Sequence, residues 1–202
     1  SWEWSDSGQC DSKRAILRKF YRKKSDLFHV HTKDFDLHVN PVIYFSGGYE
    51  KNIGAVSLNS RGIEIRGMID DKISFYTFVT DNQALLPSYA TIVKNNYRVI
   101  PGEGYNLSFK TRGVDFLSAR GYINFNASKH IAVQFGRDKN FIGNGYRSLI
   151  LSDNSSAYTF LKFNTKIWKL NYTNIFTEMT AYPRVSDTLF AKKYVNYHPV
   201  SY

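Results

Sequence analysis

The chain has 202 residues, room for one substantial domain or two small ones, and its 43% hydrophobic content includes 15 Tyr and 15 Phe. No apolar run approaches the ~20 residues of a membrane helix. The net charge of +10, from 27 Lys and Arg against 17 Asp and Glu, suits an anionic partner or solubility alone. Without RNP-type aromatics, zinc-finger spacing or a helix-turn-helix pattern, nucleic acid is not expected as a partner. A lone Cys10 excludes an internal disulfide and a cysteine metal pair, and reads as an incidental thiol. The first residue is Ser1, as in a chain whose secretory signal has been removed.

Residues 1–33 show no strand alternation. Asp11 or Ser12 is placed to cap a short helix to about Lys24, with Ile16, Leu17, Phe20 and Tyr21 on one stripe. The other side is Lys13, Arg14, Arg18, Lys19, Arg22, Lys23 and Lys24, which suits a solvated face or contact with anionic headgroups or a partner. From Asp34 the period becomes two. Phe35, Leu37, Val39, Pro41, Ile43 and Phe45 oppose Asp36, His38, Asn40, Val42, Tyr44 and Ser46, and Gly47-Gly48 reads as a closing turn. Pro41 lacks a donor and argues for an edge or a bulge.

Ile63, Ile65, Gly67 and Ile69 alternate with Glu64, Arg66 and Met68, and Asp70-Asp71 makes a hairpin turn into Ile73, Phe75, Thr77 and Val79. A loop is expected from Asp81 through Pro87 to the PGEG turn at 101–104. Asp115, Leu117, Ala119, Gly121, Ile123 and Phe125 share one parity, and a polar turn near 127–129 leads to a strand over 131–135. Segments 157–164 and 166–176 read as a hairpin turning at Asn164-Thr165. Ser186 or Asp187 is placed to begin a short helix over 188–194, and a new extended segment starts near His198. The pattern predicts roughly eight to ten strands with polar turns and no βαβ spacing, hence an all-β, antiparallel class.

Alternation alone suits a soluble sandwich as well as a membrane barrel. The segments are near the ~10 residues that cross an outer membrane at a tilt. Arg61, Glu64, Arg66, Arg112, Asp115 and Arg120 read as a polar face too costly for a dry core but tolerable in a hydrated barrel interior. Aromatics recur near strand ends, at Phe45, Tyr76, Phe125, Tyr158, Phe160, Trp168 and Phe176. The barrel is the favoured reading, and the sandwich stays open.

No catalytic constellation is present, and the chain does not read as an enzyme. The histidines His29, His31, His38, His130 and His198 lack the helical spacing of a metal pair. His29 and His31 would share a strand face, with no acidic third ligand nearby beyond Asp34, so neither a metal nor a cofactor is expected. No serine sits in a GxSxG elbow, and the lone GxG at 143–145 is not a phosphate loop by itself. The segment GRDKNFIGNGYRSLILSDN, residues 136–154, is too rich for a hairpin turn. Arg137, Asp138, Lys139, Asn140, Asn144, Arg147, Ser152, Asp153 and Asn154 supply donors and acceptors, while Phe141 and Tyr146 offer flat faces, a mixture that suits sugars. Arg137 and Arg147 suit uronate or phosphate groups. The candidate ligand-binding residues are Arg137, Asp138, Asn144, Tyr146, Arg147 and Asp153. The alternative is that the charges pair inside the fold and the glycines allow tight packing.

GRDKNFIGNGYRSLILSDNSSAY followed by FLKFNTKIWKLNYTNIF resembles the Wzi-like capsule-assembly outer-membrane barrels, most nearly the RemB-like gliding-motility proteins of Bacteroidetes. The family's G-R, G-x-G and S-L-x-L-S elements stand here as Gly136-Arg137, Gly143-x-Gly145 and residues 148–152; NSRGIEIRGMIDDKISFYTFVTDNQ and VIPGEG are also similar. The likeness runs from about Leu27 to Tyr202. It implies an antiparallel transmembrane β-barrel of about eighteen strands in the bacterial outer membrane. This chain would supply the N-terminal portion, with 1–34 a periplasmic helical segment and 35–202 strands of an incomplete barrel. The implied partners are surface capsular polysaccharide, lipopolysaccharide, the outer membrane and other envelope proteins. The implied role is to bind or organise that polysaccharide, with a link to gliding motility. A structural barrel subunit of a gliding, secretion or barrel-assembly complex, and a passive porin, are the alternatives.

Overall fold

Alternation at period two puts every second side chain on one face of a sheet, and here it does so across the chain. The computed structural model describes residues 26–109, 112–181 and 191–202. Four strands come first: β1 (Phe28–His31), β2 (Phe35–Glu50), β3 (Gly54–Ile69) and β4 (Ile73–Leu85). A single described helix, α1 (Ser88–Tyr97), is followed by the short β5 (Val99–Ile100), β6 (Gly104–Tyr105) and β7 (Leu107–Phe109). Long strands then return as β8 (Gly113–Asn126), β9 (Ile131–Asp138), β10 (Tyr158–Ile167) and β11 (Leu170–Thr180), before β12 (Lys192–Tyr197) and β13 (Val200–Ser201). The fold is all-β.

One antiparallel sheet of 11 strands runs in the order β1-β2-β3-β4-β8-β9-β10-β11-β12, with β7 beside β8 and β13 beside β11. β5 and β6 pair separately. The sheet is open: β1 and β12 end the order, and no closed barrel forms among the described residues. Its two ends differ. At one end the strands are joined by short turns, 32–34, 70–72, 127–130 and 168–169. At the other lie the connections 86–112 and 139–157, with the 51–53 turn. β2 and β3 are 16 residues each, well beyond the usual ~5–6.

The register defines two unlike faces. One carries Phe35, Leu37 and Val39 of β2, Ile63, Ile65 and Ile69 of β3, Phe75 and Val79 of β4, Ile123 and Phe125 of β8, Val133 and Phe135 of β9, and Leu161 and Phe163 of β10. This apolar face is open: Ile43 is 79% exposed, Leu117 65%, Phe135 57% and Ile123 53%. Toward the long-connection end it passes into Arg61 and Asp81, which oppose each other, and then into Asp115, Arg137 and Glu178. Toward the short turns it ends in Phe125, Trp168 and Tyr172. The opposite face carries Asp36, His38, Asn40, Glu64, Arg66, Tyr76, Arg120, Tyr122, Asn124 and Lys162. On it sit both buried clusters: Leu151 with Tyr158, Phe160 and Ile175, and Ala84 with Ile100 and Val114. The sheet is therefore packed on its polar side and bare on its apolar one.

Several expectations are corrected. Strand structure starts at Phe28, because β1 pairs with β2 from Phe28↔Val39 to His31↔Asp36. Gly47-Gly48 lies within β2; the turn comes at 51–53, where Asn52 takes φ 79, and β3 opens on Gly54 at φ 94. The β10–β11 turn is Trp168-Lys169 rather than Asn164-Thr165, since Ile167 and Leu170 already pair. The loop expected from Asp81 instead continues β4 to Leu85 and then forms α1, whose first amide and hydroxyl, both of Ser88, donate to the Glu50 carboxylate. Residues 192–194, placed in a helix by the sequence, are strand. Arg61 and Asp115 stand on the apolar parity, whereas Tyr76, Tyr158 and Phe160 face the polar side. Asp70-Asp71 does make the hairpin turn, with φ 51 and 49, inside the three-residue connection 70–72, where the Lys72 amide donates to the Ile69 carbonyl at 3.1 Å. The helix expected before Lys24 lies outside the described residues.

Candidate binding site on the polar face

Three features meet on the polar face. The first is a groove of ≈ 450 Å³ along β2, β3, β4 and β8, lined by Asp36, His38, Glu64, Arg66, Tyr76, Tyr122 and Asn124 among others. Tyr76 and Tyr122 oppose each other in register and their rings stack at 5.3 Å. Farther toward the long connections, the Arg120 guanidinium lies 4.5 Å over the Phe78 ring and 4.0 Å from Asp138. Flat rings beside fixed charges are the ingredients of a carbohydrate surface.

The second feature is a hydrogen-bonded network where β1 meets β2. His38 joins Asp26 through Nδ1 at 2.8 Å and Asp36 through Nε2 at 2.7 Å. Asn40 Nδ2 donates to Asp26 at 2.8 Å, and Arg66 Nη2 donates to it at 3.3 Å. Burial raises the Asp26 carboxyl, but the hydrogen bonds from Asn40 and His38 and the charges of His38 and Arg66 outweigh it. They hold Asp26, just ahead of β1, at about 2 against an ordinary 3.8. His29 and His31 reach Asp36 at 3.2 and 2.9 Å. The sequence offered Asp34 as the nearest acid; the β1–β2 register sets Asp36 opposite His31 instead.

The third is the 139–157 connection, which folds back over the polar face of the sheet. Ile142 and Leu151 form a bridge, and Leu151 packs on Tyr158, Phe160 and Ile175. The Asn140 amide donates to the Tyr158 hydroxyl at 3.2 Å. Lys139 Nζ donates to Gly102 O at 2.7 Å and Glu103 at 3.2 Å, tying this connection to the β5–β6 hairpin. Gly136 is required by close approach: a Cβ there would stand 2.3 Å from the Gly121 carbonyl oxygen. Gly143, at φ 141, lets the Ser148 hydroxyl turn back to the Ile142 carbonyl.

The candidate residues divide accordingly. Asp138 faces the polar side, where it accepts from the Lys139 amide at 2.8 Å. Arg137, its neighbour in β9, points to the other face and sits at the margin of the apolar band, so the two do not act as a pair. Asn144, Tyr146, Arg147 and Asp153 lie in the connection and are exposed. Tyr146 is 93% exposed with the Arg147 guanidinium 5.9 Å from its ring centre. Sequence reading missed the groove because its members come from four strands; their shared parity was visible, their adjacency was not. Comparison of the chain with family models, curated proteins and solved structures finds no match.

Proposed function

We propose that the chain forms part of the wall of an outer-membrane β-barrel that binds or organises a surface polysaccharide, as the Wzi-like resemblance implies. One observation carries the membrane reading: the sheet is inside out for a protein in water. Its apolar face is exposed over strand after strand, and its charged face is the packed one. Soluble proteins seldom expose contiguous apolar patches beyond a few hundred Å². A lipid-facing apolar band with a polar interior is the barrel arrangement. Short turns at one end and long connections at the other follow the same architecture, as do Trp168 and Tyr172 near the short-turn margin.

The sugar reading rests on the Tyr76–Tyr122 stack among charged groups and on the exposed Tyr146-Arg147 pair. Fractionation of native cells tests the first half: the protein partitions with the outer membrane and needs detergent, and recovery in the soluble fraction refutes it. Binding of the detergent-purified native protein to acidic glycans tests the second. A Tyr146→Ala, Arg147→Ala double variant loses binding while Arg137→Ala retains it. Binding indifferent to Tyr146 and Arg147 removes the connection from the site.

A further inference from the structure

We propose that His29, His31 and Asp36 bind one transition-metal dication of the zinc class at the β1–β2 hairpin. His29 and His31 are alternate residues of β1 and so share the polar face, and the register brings Asp36 of β2 across from His31. The donor atoms of the three side chains all lie within 4.8 Å of one another. Asp36 Oδ1 is 2.9 Å from His31 Nδ1 and 3.2 Å from His29 Nε2. In a tetrahedral site with bonds of about 2.0–2.1 Å, ligand atoms stand roughly 3.4 Å apart. The two Asp36 contacts need open by only about 0.2–0.5 Å, and the two imidazole nitrogens, within 4.8 Å, close by at most about 1.4 Å, to admit a metal in place of the bridging protons. Two imidazoles and one carboxylate are a donor set suited to Zn²⁺ and its first-row neighbours rather than to Mg²⁺ or Ca²⁺.

The surroundings support coordination. Asp36 does not swing freely, because its second oxygen is held by His38 Nε2 at 2.7 Å, and His38 is itself held by Asp26 at 2.8 Å. A partner chain of this kind orients a metal-ligating carboxylate and tunes its basicity. The His29 and His38 rings pack at 4.4 Å, and the His29 side chain is only 7% exposed, which fixes one ligand firmly. His31 is 69% exposed on its side chain, leaving an approach for the ion and a position for water. A bound ion ties β1 to β2 near the short-turn end. This inference needs only that hairpin and stands apart from the lipid and sugar readings.

Titrating metal-free native protein with Zn²⁺ in a calorimeter, and with Co²⁺ under visible absorption, tests it. The expected result is saturable one-to-one binding, with the intense d–d bands of low-coordinate Co²⁺ on nitrogen and oxygen ligands. His31→Ala, at an exposed position, and Asp36→Asn weaken binding by at least ~10-fold, and His38→Gln weakens it by roughly 10-fold through loss of orientation. His130→Ala and His198→Ala leave it unchanged. Absence of saturable binding overturns the proposal. So does Zn²⁺ binding that survives His31→Ala undiminished in protein whose circular dichroism matches the parent.

Discussion

Placing a lysine at Ile123 separates a lipid-facing sheet from one that faces water. Ile123 lies on the apolar face of β8 between Phe75 of β4 and Phe135 of β9, and is 53% exposed. If that face meets water, Ile123→Lys exchanges one exposed side chain for another and changes stability by about 0.5 kcal/mol or less. If it meets lipid, a lysine one row in from the Phe125 margin costs about 1–2 kcal/mol, between the values for an interface and for the midplane. Asn59, on the same face of β3 and in register with Gln83 beyond the Arg61–Asp81 row, supplies the control. There Asn59→Lys should cost only about 0–1 kcal/mol, as near an interface. The assay is denaturant unfolding of the native protein in phospholipid vesicles, followed by tryptophan emission and by the heat-sensitive gel mobility of folded barrels. An Ile123→Lys variant within ~0.5 kcal/mol of the parent refutes the lipid-facing assignment. Equal large costs at both positions refute it too, because a covering protein layer has no depth profile of that kind.

Other outcomes follow from single contacts. Gly136→Ala drives a methyl to 2.3 Å from a backbone oxygen and should cost about 1–3 kcal/mol in the same unfolding assay, whereas Gly145→Ala, with nothing within 4 Å, should be near neutral. Lys139→Ala removes the tie to Gly102 and Glu103; amide exchange in 99–105 should speed up about 5- to 30-fold, as loss of about 1–2 kcal/mol of local stability predicts. Asp26 has a depressed carboxyl, so the stability it contributes is full above 3.8 and drains as pH falls toward about 2. Asp26→Asn should therefore flatten the acid limb of the unfolding free energy between about pH 4 and 2, measured by chemical denaturation.

The sequence by itself determined the class and the two faces. Phe35 through Phe45, Ile63 through Ile69 and Ile73 through Val79 alternate so strictly that only extended strands put their apolar sets on one side. Asp70-Asp71 was legible as a turn because both positions take left-handed φ, which Asp tolerates better than most side chains. α1 was hidden: Pro87 and the Asn95-Asn96 pair resemble loop punctuation, and the acid serving its first turn, Glu50, is 38 residues away. Arg61 was misassigned because charge was read in place of parity, and Asp115, although read on the parity of Leu117, was counted with the polar face for its charge. Tertiary structure decided what parity leaves open, namely which strands are neighbours and what covers each face. Register turned His29, His31 and Asp36 into a cluster and set Tyr76 against Tyr122. Back-folding of 139–157 put Leu151 on the polar face and left Tyr146 outside, whereas the opposite facing of Arg137 and Asp138 follows from alternation within β9 alone. The physical reason is that side-chain alternation is local to each strand. Adjacency between strands depends on hydrogen-bond registers that join residues dozens of positions apart.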